Sequence, residues 1–177
     1  MKSSDSLLDA HIHFEGLKLR PYLCPAGIPT IGIGMTFYPN GRKVTLNDTP
    51  LASGDEAIRI YKLILEPFEK TVTSLTKGVN LTQNQFDALV DFQFNTGALG
   101  SSNLLKVIKK NPKDSTIWGE FMKWTKVKAD NDGKDNDGDG LIDEEGEKKE
   151  LLGLVRRRNF EAHLFVLGSI NYYENLK

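Results

Sequence analysis

Three residues near the start of the chain have types and spacing suited to acid–base bond cleavage. They are Glu15, Cys24 and Thr30, within the stretch EGLKLRPYLCPAGIPTIGIGMT. Glycoside hydrolysis needs one group that protonates the leaving oxygen and a second that activates water or attacks carbon, both facing one cleft. Glu15 suits the acid, on the condition that burial raises its pKa toward working pH. Cys24 suits the second role as a thiolate, and the Thr30 hydroxyl can hold the water. Spacing alone leaves blander readings open: a solvated glutamate at a helix end, a small buried thiol, a threonine that is only a strand residue.

Elements must carry these groups. Ser3 or Ser4 can cap a first helix whose Leu7, Leu8 and Ile12 share a face, ending near Glu15 and Gly16. The Gly- and Pro-rich segment that follows leans toward β structure. Ile28 to Met35 reads as a strand, Pro39-Asn40-Gly41 as a turn and Lys43 to Leu46 as the returning strand, so a hairpin or three-stranded sheet is expected. Ser53 with Glu56 reads as a capping box opening a helix to about Leu75, with a kink or break at Pro67. Thr82 with Gln85 opens another, whose apolar face is Phe86, Leu89, Val90 and Phe94. Shorter helices are expected over Ser102 to Lys109 and Ser115 to Trp124, and a long one over Leu151 to Leu167. The fold class is therefore α+β and mainly helical. A small β-containing lobe spans about 12–60, a linking helix about 53–75, and a larger helical lobe about 80–177, joined by the N-terminal helix, all in one domain.

The 177 residues, 39% of them hydrophobic, suffice for a real core. A single cysteine excludes an intrachain disulfide. The N-terminal residues lack the apolar core and cleavage site of a signal peptide, and no stretch approaches the ~20 apolar residues of a membrane span. A soluble chain without stable membrane insertion is expected. The net charge of −1 conceals an asymmetry, because 130–147 hold nine acids and one lysine. The remainder is basic, which suits a polyanionic partner such as a cell wall. No zinc finger, basic zipper or aromatic RNA-binding motif favours nucleic acid.

The Glu15, Cys24, Thr30 stretch resembles the active-site signature of the phage lysozymes, the endolysins of T-even and lambdoid phages. Gly16, Leu17, Tyr22, Ile31, Gly32 and Gly34 also match. Two later blocks match in order: DALVDFQFNTGALGSSNLL and LLGLVRRRNFEAHLFVLG. The resemblance implies a lysozyme-like fold. It implies a muramidase that hydrolyses the β-1,4 bond between N-acetylmuramic acid and N-acetylglucosamine in peptidoglycan during host lysis. Glu15 would be the acid, with Cys24 and Thr30 beside it. It also implies an arginine of the final helix paired with the glutamate. Register from Phe165 and Gly168 assigns this to Arg157, with Arg156 and Arg158 as alternatives. Such a pair lowers the pKa of Glu15, whereas burial raises it. Tyr22, Gly34, Gln93 and Asn95 are candidate glycan contacts. A monomer is expected, held in the host cytoplasm until a holin-like protein releases it to the wall. Two departures stand out. Many members carry Asp at the position of Cys24, and many carry His at that of Met35.

Where relatives have a short loop, this chain has WTKVKADNDGKDNDGDGLIDEEGEKKELLG. Asp135, Asp137, Asp139, Gly140 and Asp143 occupy positions 1, 3, 5, 6 and 9 of a calcium loop, with the Leu141 carbonyl at position 7 and Glu144 chosen to close the site. The run resembles EF-hand-like and thrombospondin-type repeats, and structural calcium is the expected cofactor. An acidic loop without order is the alternative. Two other functions compete with this one. DAHIHFEG resembles the metal motif of amidohydrolase barrels, but such a barrel needs ~250 residues and more histidines. A calcium-stabilised wall-binding module would leave the Glu15, Cys24, Thr30 spacing unexplained. Trp118, Trp124, Phe86 and Phe94 suit core packing better than a sugar cleft.

Overall fold

The computed structural model describes residues 1–128 and 148–169, and the proposed calcium loop lies outside them. The described chain forms two compact units, meeting in sequence between Lys77 and Gly78.

In the first unit, helix α1 (Asp5–Glu15) begins where the Ser4 side chain accepts from the Leu7 N–H, and ends at Gly16 with φ of 74°. Strands β1 (Lys18–Leu23) and β2 (Pro29–Gly32) pair antiparallel, with Tyr22 opposite Thr30 and Leu23 opposite Pro29. Helix α2 (Gly54–Leu75) closes the unit. Leu7, Leu8 and Ala10 of α1, Ile31 and Ile33 of the β region, and Ala57, Tyr61 and Leu65 of α2 form its core. His11 is fully buried and shares a 2.9 Å hydrogen bond with the Tyr61 hydroxyl. Helix α1 belongs to this unit.

Several local expectations differ from the structure. The strand pairing with β2 is Lys18–Leu23, upstream of it, because Cys24-Pro25-Ala26-Gly27 makes a tight turn in which Gly27 N–H donates to the Cys24 carbonyl at 2.8 Å. The Pro39-Asn40-Gly41 turn forms, but Lys43–Leu46 contributes only a single bridge, Phe37 to Lys43. Helix α2 passes unbroken through Pro67. Proline removes the donor to the carbonyl of residue 63. Leu63 and Pro67 both lie on the exposed face, where water can satisfy that carbonyl. At the start of α2 the expected reciprocal box is altered. Ser53 accepts from Glu56 N–H, while the Glu56 carboxylate takes the Ala52 N–H at 2.6 Å.

The second unit is helical: α3 (Gln83–Thr96), a 3-10 turn (Leu99–Ser101), α4 (Asn103–Lys110), α5 (Ile117–Met122), a short β3–β4 pair (Lys126–Lys128 with Lys148–Glu150), and α6 (Leu152–Leu167). The Thr82–Gln85 capping box forms in full. Helix α6 packs on α3 and α5. Phe92 anchors this packing, with Phe121 and Trp124 edge-on at 5.6 and 5.3 Å and the Arg158 guanidinium at 5.0 Å from its ring. Phe92 is fully buried, so Phe92→Ala removes a large apolar group and leaves a cavity. We expect a loss of about 3–5 kcal/mol in urea unfolding. A loss under about 1 kcal/mol would show that the centre of this unit lies elsewhere.

Candidate active site

Glu15 is the last residue of α1, followed by Gly16, whose N–H returns to the Ile12 carbonyl at 2.9 Å. Positive φ at Gly16 lets the chain leave the helix sharply toward β1. The Gly32-Ile33-Gly34 segment makes a second sharp reversal. Ile31 and Met35 exchange both backbone hydrogen bonds across it at 2.9 Å, and both glycines have positive φ, 63° and 62°. This reversal brings Gly34 against the catalytic candidate. A Cβ on Gly34 would lie 3.0 Å from Glu15 Oε2 and 3.1 Å from its Cβ. Glycine is therefore needed here for backbone conformation and for clearance. Glu15 itself is exposed. It sits at a helix end beside a glycine turn, which offers no side chain to cover it.

Cys24 and Thr30 lie on either side of the β1–β2 turn. The turn aims backbone N–H groups at the thiol. The Ile28 amide is the largest influence lowering the Cys24 pKa below that of an ordinary thiol, with the Ala26 amide and the Thr30 hydroxyl adding to it against partial desolvation. Thr30 is buried, and its hydroxyl donates to the Ile28 carbonyl at 2.9 Å. A hydroxyl has one proton, so the Ile28 carbonyl and the Cys24 sulfur compete for it. As the thiolate gains charge, the balance moves toward sulfur.

Tyr22 joins the group. Burial raises its pKa most, and the negative charges of Glu15 and Cys24 raise it further. The Lys18 ammonium lies 4.0 Å from the centre of its ring. The first unit thus gathers Glu15, Tyr22, Cys24, Thr30 and Gly34. Met35 is buried in the core at 3% exposure, so the position where many relatives carry histidine is a packing site here.

The remaining candidates lie in the second unit. Gln93 is buried, and its carbonyl oxygen accepts from Leu99 N–H at 3.0 Å, fixing the exit of α3. Asn95 accepts from Arg158 Nη2 at 2.9 Å. The three arginines differ sharply. Arg156 is exposed. Arg158 is fully buried and directed at Glu161 and Asn95. Arg157, 11% exposed, is held by Asp91 through Nε (3.1 and 3.3 Å) and Nη2 (2.6 Å). Burial, then the nearby Asp91, pushes Glu161 well above the ordinary carboxylate range, against the pull of Arg158 and Arg157. The reading of residue types missed Asp91. A faint signal existed, because Asp87 and Asp91 are set within the most apolar run of α3, 86–94. Among the described residues, no group of His, Cys, Asp or Glu could hold a metal ion. The amidohydrolase reading loses its basis, because Asp9, His11 and His13 lie on helix α1, where positions two apart point in different directions.

The Phage lysozyme family model matches residues 12–161. An endolysin of Acyrthosiphon pisum secondary endosymbiont phage 1 is 36% identical over 155 residues, covering 86% of this chain and 89% of the relative. The structure of the endolysin from Escherichia coli O157:H7 phage FAHEc1 has a TM-score of 0.77 and 29% identity, covering 96% of each chain. That of the muramidase domain of SpmX from Asticaccaulis excentricus has a TM-score of 0.67 and 29% identity, covering 93% of this chain and 97% of the other. By the extent of the family match and the likeness of these relatives, the chain belongs to the phage lysozyme family of glycoside hydrolases.

Proposed function

We propose that this chain is an endolysin that hydrolyses the β-1,4 bond between N-acetylmuramic acid and N-acetylglucosamine in bacterial peptidoglycan. The observation that carries the reading is the meeting of Glu15, Tyr22, Cys24 and Thr30 beside the Gly34 turn, in a chain of the phage lysozyme family. Glu15 donates its proton to the leaving glycosidic oxygen. Cys24, as thiolate, activates water or attacks the anomeric carbon, and Thr30 holds the water or the sulfur charge. Arg157 is the arginine we assign as partner to the glutamate, on the family resemblance. Tyr22, Asn95 and the backbone at Gly34 contact the glycan. Gln93 has a backbone partner already, so any glycan contact falls to its amide nitrogen. The enzyme acts as a monomer on the wall. No described helix is long and apolar enough to cross a membrane, and release by a holin-like protein completes the reading.

The 130–147 insert, in this proposal, binds one structural calcium ion through Asp135, Asp137, Asp139, the Leu141 carbonyl, Asp143 and Glu144. The support is the spacing of carboxylates at alternate positions with a turn glycine. The strands β3 and β4 flank the insert directly.

Three outcomes check these assignments. Glu15→Gln keeps the helix end but cannot donate the proton. Turnover of peptidoglycan should fall by more than about 10²-fold with the circular dichroism spectrum unchanged, and a folded variant keeping a tenth of the parent's turnover removes Glu15 from the role. For Cys24 we expect Cys24→Ala to lose about 10²–10⁴-fold and Cys24→Asp to remain active. A thiolate is lost as pH falls through the thiol's lowered pKa, whereas Asp stays ionised to about pH 4. Cys24→Asp should therefore keep its rate into acid conditions where the parent declines. A stable Cys24→Ala of parental activity makes the thiol merely structural. Removing calcium with a chelator should lower the melting temperature by roughly 5–10 °C relative to saturating calcium, with Asp137→Ala/Asp139→Ala insensitive to the ion. Equal melting with and without calcium in the parent rejects the calcium site.

A further inference from the structure

Asp91 and Arg157 form the most geometrically complete buried ion pair among the described residues. The Asp91 side chain has no exposure and the Arg157 side chain 11%. Asp91 takes the Nε–Nη2 edge of the guanidinium with both carboxylate oxygens, at 3.1, 3.3 and 2.6 Å. A planar guanidinium held along one edge has its plane and direction fixed, where a single contact would leave it free to swivel. Other polar side chains of α3 and α6 lie nearby. On α3, Asp87 accepts from Gln83 at 2.9 Å and Asn95 accepts from Arg158. On α6, Glu161 takes Arg158, and Glu161 Oε2 and Arg158 Nε and Nη1 have no hydrogen-bond partner among the described residues. The neighbouring Phe94 ring centre is 5.9 Å from the Arg157 guanidinium. Asp91 thus holds one edge of Arg157 with both carboxylate oxygens, and it projects from the core helix α3.

We propose that Asp91 is a positioning residue that fixes the Arg157 guanidinium for catalysis. This rests on the role proposed above for Arg157. A purely structural ion pair would serve as well with the arginine buried, as Arg158 is. Arg157 instead keeps part of its side chain accessible while its inner edge is clamped.

The test is a double-mutant cycle in the full chain, with kcat and KM measured on peptidoglycan. Asp91→Asn should lower kcat on the order of 10- to 100-fold with little change in KM, and Arg157→Ala should do the same. Added to Arg157→Ala, Asp91→Asn should cost less than about 2-fold more, because its target is gone. The same multiplicative loss in both backgrounds makes Asp91 a core residue only and overturns the proposal. Full kcat in Asp91→Asn beside an impaired Arg157→Ala overturns it as well. Full kcat in Arg157→Ala overturns the role of Arg157 itself, which separates the two failures. Should Asp91→Asn not fold, nitrogen-15 NMR of the unmodified chain decides, with the Arg157 signal assigned by its loss in Arg157→Lys. A rigid, slowly exchanging Arg157 Nε–H supports the clamp, and an averaged, rapidly exchanging one contradicts it.

Discussion

The proposed chemistry depends on one close approach, the end of α1 against the Gly32-Ile33-Gly34 reversal. A Cβ on Gly34 would stand 3.0 Å from Glu15 Oε2, so the carboxylate and the turn define each other's position. Two sets of backbone constraints make the approach possible. Gly16 ends the helix with positive φ, and Gly32 and Gly34 allow the chain to turn back within three residues. Behind them, His11 bonds Tyr61 and Ile31 and Ile33 are buried, which fixes the helix and the turn to the same core.

The β1–β2 turn adds the electrostatics. Backbone amides of Ala26 and Ile28 favour a charged sulfur at Cys24, much as a nest of N–H groups favours any small anion. The fold therefore supplies to a thiol some of the stabilisation that an aspartate needs less. In the second unit, charges are buried where α6 meets α3, and pairing offsets part of the desolvation cost. Asp91 with Arg157 and Asn95 with Arg158 tie α6 to α3 in a fixed register, while Glu161 pairs with Arg158 within α6.

Much of this was legible in the residues. Caps at Ser4 and Thr82 announced their helices, because a side-chain oxygen there can accept from the otherwise unpaired N–H groups of the first turn. Glu15, Cys24 and Thr30 were found by spacing and resemblance. The pairing of Lys18–Leu23 was hidden by Pro21, which speaks against a strand unless it lies at an edge. Pro67 does not break α2, because proline's cost depends on whether its orphaned carbonyl meets water, a matter of facing and not of type. The exposure of Glu15 was also beyond the sequence, since burial at a helix end depends on what the following turn carries. Asp91 looked like any helical acid until α6 brought Arg157 to it.

The central claim is cleavage on the reducing side of N-acetylmuramic acid by hydrolysis. It is tested most directly by digesting purified peptidoglycan, reducing the products with borohydride and identifying the new ends by mass spectrometry. The account predicts reduced N-acetylmuramic acid ends bearing the elements of one water. Ends at N-acetylglucosamine, anhydro-muramic acid ends, or new free amines with intact glycan strands would contradict it.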